Sequence, residues 1–290
     1  MKMAILALLI ALTQQPGNDS LLIKDQTEII GTISKEDLAQ LTEDMYIMND
    51  EKLNQLSTRI DNKMYTPPVN AQISKSGGII KEKKGYRLNK EKFRELLYSY
   101  FYGKGPMTIH APKMDLYPRV DSDLLISIRS ARIGSYATFF NKRNVQRSKN
   151  IILAAEAINN TVVFPGETFS FNGVVGNRTA AKGYMKAPII IKGELAEGIG
   201  GGICQVSSTL FNATDNAGLK TVERFSHSRN VPYVPKGRDA TVSWYGPDFK
   251  FTNKYSEPVL IMAAVYSSSV TVTIYSTKEV LYEKSAERIK

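Results

Sequence analysis

The stretch Gly200-Gly201-Gly202-Ile203-Cys204-Gln205-Val206-Ser207-Ser208-Thr209-Leu210 decides how the second half of the chain is read. Glycine reaches positive φ freely and lets neighbouring backbone come close, so three in a row mark a tight turn. Helical spacing follows: Val206, Leu210, Ala213 and Ala217 share one side, and Gly218 stops the pattern. The spacing predicts a helix over about 204–217 that opens at Cys204. Cys204 is the only cysteine among 290 residues, so it forms no internal disulfide. A thiol in the first turn of a helix has its pKa lowered by the helix N-terminus.

Upstream, residues 146–159 read as a helix with Ile151, Ile152, Ala155 and Ile158 on one face. Pro165-Gly166 is a turn, and Thr168-Phe169-Ser170-Phe171 alternates as a half-buried strand. Downstream, residues 240–245, 249–252, 259–266 and 270–275 are rich in β-branched and aromatic residues and read as strands. The last two form a hairpin around Ser267 to Ser269. Residues 126–280 are therefore expected to be one domain, with residues 281–290 as a tail.

A smaller module is expected before it, within residues 18–125. Short strands at 69–73 and 78–82 flank the turn Lys75-Ser76-Gly77-Gly78. Asn89 caps a helix whose apolar face is Phe93, Leu96, Leu97, Tyr100 and Phe101, ended by Gly103. Residues 107–109 and 114–116 are extended. Residues 18–50 hold at most one short helix, begun at Ser34-Lys35-Glu36-Asp37. The expected fold class is α+β: a small α+β module, then a mixed α+β domain with a β-rich C-terminal part.

Composition narrows the setting. With 42% hydrophobic and 23% charged residues the chain is ordinary globular protein. Met1-Lys2, the apolar run from Met3 to Leu12 and the break at Thr13 to Gly17 have the layout of a signal peptide over residues 1–17. No later segment is apolar enough for a stable transmembrane span. The net charge of +10 suits anionic wall polymers. No nucleic-acid signature accompanies that charge, so nucleic acid is not an expected partner. Two histidines and one cysteine are too few for a zinc site, and no metal or other cofactor is expected.

Two chemistries remain. In one, Cys204 is a nucleophile and His227 takes its proton, because a thiolate is the reactive form and needs a base. Asp239 and Asp248 are candidate groups to orient that histidine, and Gln205 is a candidate oxyanion donor. In the other, pairs drawn from Glu167, Glu194, Glu197, Asp239 and Asp248 act as acid and base in glycan cleavage. The plainer alternative treats Cys204 as a small buried hydrophobe and His227 as a structural hydrogen-bonder.

A longer pattern adds to this reading. Arg147 to Asn150, Pro165 to Asn172, Gly176 to Thr179, Gly183-Tyr184, Ala187-Pro188, Gly200 to Leu210, Asn212-Ala213, Glu223-Arg224 and His227-Ser228 are part of it. Tyr233 to Pro235, Gly237 to Val242 and Asp248 to Phe251 complete it. Together these resemble the VanW-like family. Residues 50–125 more weakly resemble the second half of a peptidoglycan-binding module that often precedes such domains. The resemblance implies an exported protein of a Gram-positive-type cell wall, acting on or binding peptidoglycan or another anionic wall polymer. It implies catalytic candidates Cys204 and His227, with Asp248 the better-matched orienter because some family branches lack an acid at the position of Asp239. Gly201, Gly202, Gln205, Ser207, Arg178 and Arg238 are the substrate-binding candidates.

Overall fold

The computed structural model describes residues 19–191 and 194–287; the expected signal peptide lies outside the described residues. The architecture is mixed α+β, with seven helices and several small sheets among the described residues. Two compact units form: the chain up to Asn70 with Glu82–Arg119, and Ala71–Lys81 with the chain from Val120 onward.

In the first unit the strands Ser20–Asp25 and Glu28–Ser34 pair antiparallel, and Met107–His110 joins Ser20–Asp25 in parallel. Helices α1 (Asp50–Met64) and α2 (Lys90–Tyr102) add Leu53, Ile60, Phe93 and Leu97 to a core with Leu21 and Ile23. Asn49 and Asn89 cap them by accepting from the N–H of Lys52 and Lys92. Helix α1 was not expected, because its apolar positions Leu53, Leu56, Ile60 and Met64 are diluted by charged neighbours. Ser34 starts no helix. Asp37 Oδ2 accepts from the Ser34 N–H at 2.8 Å and closes a turn, which competes with helix formation.

The short ladder Gln72–Ile73 with Ile79–Ile80 belongs to the second unit. Asn160 holds it there, accepting from the Ile73 N–H at 2.7 Å and donating to the Ile73 carbonyl at 3.0 Å. Helix α3 (Ser122–Ile128) follows. The main sheet is four-stranded and antiparallel, in the order Ala131–Phe139, Ser269–Ser276, Val259–Tyr266, Thr161–Val163. Helix α4 (Val145–Ile158) buries Ile151, Ala154, Ala155 and Ile158. A three-stranded sheet of Thr168–Ser170, Lys250–Thr252 and Lys220–Glu223 stacks Phe169 on Phe251, and helix α5 (Phe171–Val175) begins where its first strand stops.

Helix α6 (Ile203–Asn216) is the centre of this unit. It was expected to bury one apolar side. It is instead buried from Ile203 to Thr214 at every residue except Cys204. Its polar residues are satisfied inside: Thr209 meets Thr138 at 2.8 Å, and Asn212 donates to the Arg238 carbonyl at 2.8 Å. Gly134 makes the contact with the sheet possible. A Cβ there would meet Ala213 O and Ala217 N at 2.5 Å, and the strand register shifts between Arg132 and Gly134.

Two expectations are corrected by the same helix. Residues 240–243 form no ladder and 244–246 turn: Ser208 Oγ accepts from the Ala240 N–H at 2.9 Å, Ser207 Oγ donates to the Ala240 carbonyl at 2.6 Å, and the Thr241 and Ser243 N–H groups donate to the Phe225 and Pro247 carbonyls. Residues expected to be a C-terminal tail form helix α7 (Lys278–Glu287), whose Lys284 Nζ donates to the Ile133 carbonyl at 2.6 Å.

The turn into α6 is held by Asn150, which is fully buried. Its Nδ2 donates to the Gly201 and Met185 carbonyls at 2.9 Å each, and its Oδ1 accepts from the Met185 N–H at 2.8 Å. Asn150→Ala strands these backbone groups in the core and should cost on the order of 2–4 kcal/mol, while Lys149→Ala, on the exposed side, should cost almost nothing. Chemical denaturation of the two variants measures the difference.

Candidate active site

Each glycine before Cys204 has a separate reason to lack a side chain. Gly200 and Gly202 have φ of +89° and +107°, where other residues are strained. Gly201 is tightly enclosed: a Cβ would meet the Ala187 and Pro188 carbonyls at 2.6 Å. Ile203 N–H and Gln205 N–H donate back to the Gly200 and Gly202 carbonyls at 3.2 and 3.0 Å. The Cys204 N–H has no acceptor among the described residues. It is one of the first-turn donors that a helix cannot satisfy itself.

The Cys204 thiol is half-buried, with Sγ 3.5 Å from the Val242 carbonyl and 3.9 Å from Thr241 Oγ1. The His227 imidazole lies close enough to act on its ionisation by charge and hydrogen bonding. On the far side of that ring, His227 Nδ1 lies 2.6 Å from Asp239 Oδ2, which also accepts the His227 backbone N–H at 2.6 Å. Both side chains of this pair are nearly inaccessible, at 7% and 8%. Asp239 therefore fixes the ring position and the Nδ1–H tautomer, leaving Nε2 for the thiol.

The electrostatics favour charge separation. Burial opposes ionisation of Cys204, but the hydrogen bond and charge of His227 outweigh it and lower the thiol pKa. Burial likewise opposes protonation of His227, and its contacts with Cys204 and Asp239 outweigh that and raise its pKa. Asp239 is pushed up by burial and down more strongly by the two His227 hydrogen bonds, so it stays a carboxylate. Both shifts favour a thiolate–imidazolium pair backed by a carboxylate.

The other sequence candidates are placed elsewhere or occupied. Asp248 does not orient His227: Oδ1 accepts from the N–H groups of Asn172 and Phe249 at 2.8 Å each, and Oδ2 accepts from Ser170 Oγ at 2.6 Å. It organises the start of α5. Glu167 accepts from the Phe164 N–H at 3.1 Å across the Pro165-Gly166 turn. Gln205 is no free oxyanion donor, because both amide hydrogens go to Thr138 Oγ1 and the Phe139 carbonyl at 3.0 and 2.9 Å. Ser207 is taken by the Ala240 carbonyl, and Arg238 by Asn212 and Asp215 at 2.7 and 2.8 Å. Glu194 and Glu197 belong to the hairpin Lys186–Ile191 with Glu194–Ile199. Among the described residues no cluster of acids, histidines or cysteines could hold a metal ion.

Sequence reasoning missed two groups near the thiol, Arg147 and Tyr233, and an exposed aromatic pair further along the same segment. Arg147 donates through Nη2 to Gln205 Oε1 at 2.8 Å, and its stem lies against Gly202. Tyr233 is desolvated enough that its phenol pKa rises well above the ordinary value, the Cys204 charge adding to the effect. Trp244 and Tyr245 stay exposed two residues beyond Val242, in T-shaped contact at 6.4 Å. Nothing in spacing links these to Cys204. A separate groove of about 1020 Å³ runs between the start of α4 and the 186–199 hairpin. Met185 and Ala187 line it; the Met185 carbonyl accepts the Gly200 N–H at 3.1 Å and the Ala187 carbonyl lies against Gly201, so its wall continues into the glycine turn.

Comparison with known proteins agrees with this geometry in extent. The family profile described as VanW like protein matches residues 146–275, which include the whole triad. "Uncharacterized protein YoaR" of Bacillus subtilis (strain 168) is 52% identical over 268 residues, covering 92% of this chain and 88% of that protein. "Vancomycin B-type resistance protein VanW" of Enterococcus faecalis is 29% identical over 135 residues, covering 45% of this chain and 49% of that protein. No solved structure matches the chain. Among the described residues no helix is long and apolar enough to cross a membrane. On the strength of the profile and the near full-length relative, the chain belongs to the VanW-like family.

Proposed function

We propose that this protein is a thiol-dependent acyl-transfer enzyme of the bacterial cell envelope, acting on peptide bonds of peptidoglycan. The observation that carries the reading is the Cys204–His227–Asp239 relay, with Asp239 Oδ2 2.6 Å from His227 Nδ1. The envelope setting is supported by the likeness to a vancomycin-resistance protein, by the net charge of +10 and by the signal-like N-terminus. In this reading the chain is exported to the wall, and the first unit holds it on wall polymer.

The chemistry follows from the charges. The Cys204 thiolate attacks the carbonyl carbon, and the negative charge that develops on the carbonyl oxygen falls near the unclaimed Cys204 N–H. The C–N bond breaks, and the His227 imidazolium gives its proton to the leaving amine. A thioester remains on Cys204. Water releases it as a carboxylic acid, or an acceptor amine releases it as a new amide; either route restores the thiol. Glycan cleavage is poorly served, because Glu167 and Asp248 each accept from backbone N–H groups.

Cys204→Ala should abolish product formation from purified wall while leaving thermal unfolding unchanged, and His227→Ala should lower the rate by roughly 10²–10⁴-fold. The readout is new free amino groups. Reducing sugar ends, or full activity in Cys204→Ala, would sink the proposal; sedimentation with sacculi and no product would make the protein a binder.

Alkylation gives a test that needs no substrate. Because the folded thiol pKa is lowered, the thiolate forms at lower pH than in an ordinary cysteine. The iodoacetamide rate should therefore reach its plateau at a pH below that of a free thiol. His227→Ala removes the stabilising cation, so the midpoint should move up to or above the ordinary thiol value, raised further by burial.

A further inference from the structure

Two arginines flank the glycine turn, and neither makes an ion pair with an acid among the described residues. Arg178 lays its Cβ and Cγ against Gly200, 3.4 and 3.5 Å from where a side chain would begin, and Arg147 lays its Cγ at 2.8 Å from the corresponding point on Gly202. The turn they bracket leads directly into Cys204. Arg178 Nη2 donates to Asn172 Oδ1 at 2.7 Å, but its Nη1 is buried and has no hydrogen-bond partner. Arg147 donates to the neutral Gln205. Among the described residues neither guanidinium lies within ion-pair distance of a carboxylate. Both are desolvated, which pulls their pKa down, and the nearby Cys204 charge opposes that for each.

Burying a guanidinium is costly unless a counter-charge meets it, and an unsatisfied buried N–H adds to the cost. Asp248 and Cys204 act on Arg178, and Cys204 on Arg147, only as unpaired charges through space, and the Cys204 thiolate is already matched to His227. Arginine's planar fork fits a carboxylate in particular.

We propose that Arg178 and Arg147 form a carboxylate subsite beside Cys204, so that the substrate is a peptide whose free carboxylate lies next to the bond that breaks. This rests on the thiol acyl-transfer reading and gives it a substrate class. The leaving group is then an amino acid that keeps its carboxylate. The C–N bond breaks as the sulfur–carbon bond forms, His227 supplies the proton to the amine, and the thioester passes to water or to an acceptor amine. The arginines hold the carboxylate and take no part in proton transfer.

Because Cys204 is the only thiol, its alkylation in the full chain reports the site directly. Iodoacetate and iodoacetamide differ only in carrying a carboxylate or an amide two carbons from the sulfur. The ratio of their rates, measured by intact mass and referred to glutathione, should favour iodoacetate by about tenfold or more, as charge-assisted bonds imply. Acetate should compete with iodoacetate more strongly than with iodoacetamide. Arg178→Gln should return the ratio to the glutathione value, Arg178→Lys should keep part of the preference, and Lys220→Gln on the exposed surface should leave it unchanged. A wild-type ratio equal to that of glutathione overturns the subsite while leaving the thiol mechanism standing. So does a preference that survives in folded Arg178→Gln or falls equally in Lys220→Gln. If neither reagent reacts at any pH, the thiol mechanism falls first, and the subsite with it.

Discussion

The turn Gly200–Gly202 is a backbone packed against backbone, and the rest of the second unit depends on that contact. Gly201 touches the Ala187 and Pro188 carbonyls, while Asn150 from α4 ties the Gly201 carbonyl to both backbone groups of Met185. These contacts fix where α6 begins. From Ile203 to Thr214 the helix then runs through the core with every residue buried except Cys204. A reactive sulfur is thus carried by a buried, immobile element and reaches the surface only at its first turn. Immobility here is a consequence of burial: moving Cys204 would mean moving Val206 and Leu210 within a close-packed core, where each such side chain contributes about 1.5–3 kcal/mol.

The second half of the site comes from a segment with no ladder of its own. Ala240 is strapped to α6 by Ser207 and Ser208, and Thr241 N–H bonds the Phe225 carbonyl at 2.7 Å. Asp239 is placed by the first of these contacts and His227 by the second. The polar face of α6 therefore has a positioning task. It replaces a neighbouring strand as the partner for the Ala240 backbone, and this brings the histidine loop over the thiol.

That arrangement explains what the sequence could and could not reveal. The helix after the glycines, the strands 259–266 and 270–275 with their hairpin, and the helix capped by Asn89 were legible because period and punctuation are local signals. The polar residues of α6 misled, since a buried helix with internally satisfied hydroxyls looks half-exposed in sequence. Residues 240–245 misled for the opposite reason: β-branched composition marks a strand, and here no ladder forms and Ala240 binds a helix. Cys204 and His227 stood out by rarity alone. Their orienting acid did not, because Asp239 and Asp248 are equivalent in type and both lie downstream; only the fold separates an acid facing an imidazole from one capping a turn. Arg178 was already a substrate-binding candidate through the family pattern and Arg147 only a member of it, since the glycine turn is what brings residues 147, 178 and 204 together.

The charges at the site are arranged in two layers that do different work. Asp239 and His227 lie behind the sulfur, nearly inaccessible, and settle the protonation of the thiol before any ligand arrives. Arg147 and Arg178 lie on the glycine side and make no ion pair among the described residues, and Arg178 Nη1 has no hydrogen-bond partner. If both layers served only the thiolate, the carboxylate behind His227 would be redundant, since two buried cations beside a sulfur already favour its anion. If both served only a ligand, the thiol would have no need of an imidazole within hydrogen-bond reach. Separating them gives each layer one partner: an internal cation for the sulfur, and an external anion for the arginines. A site divided in this way is incomplete until a carboxylate enters it, so the stability lost by burying Arg178 is recovered only when a ligand is bound.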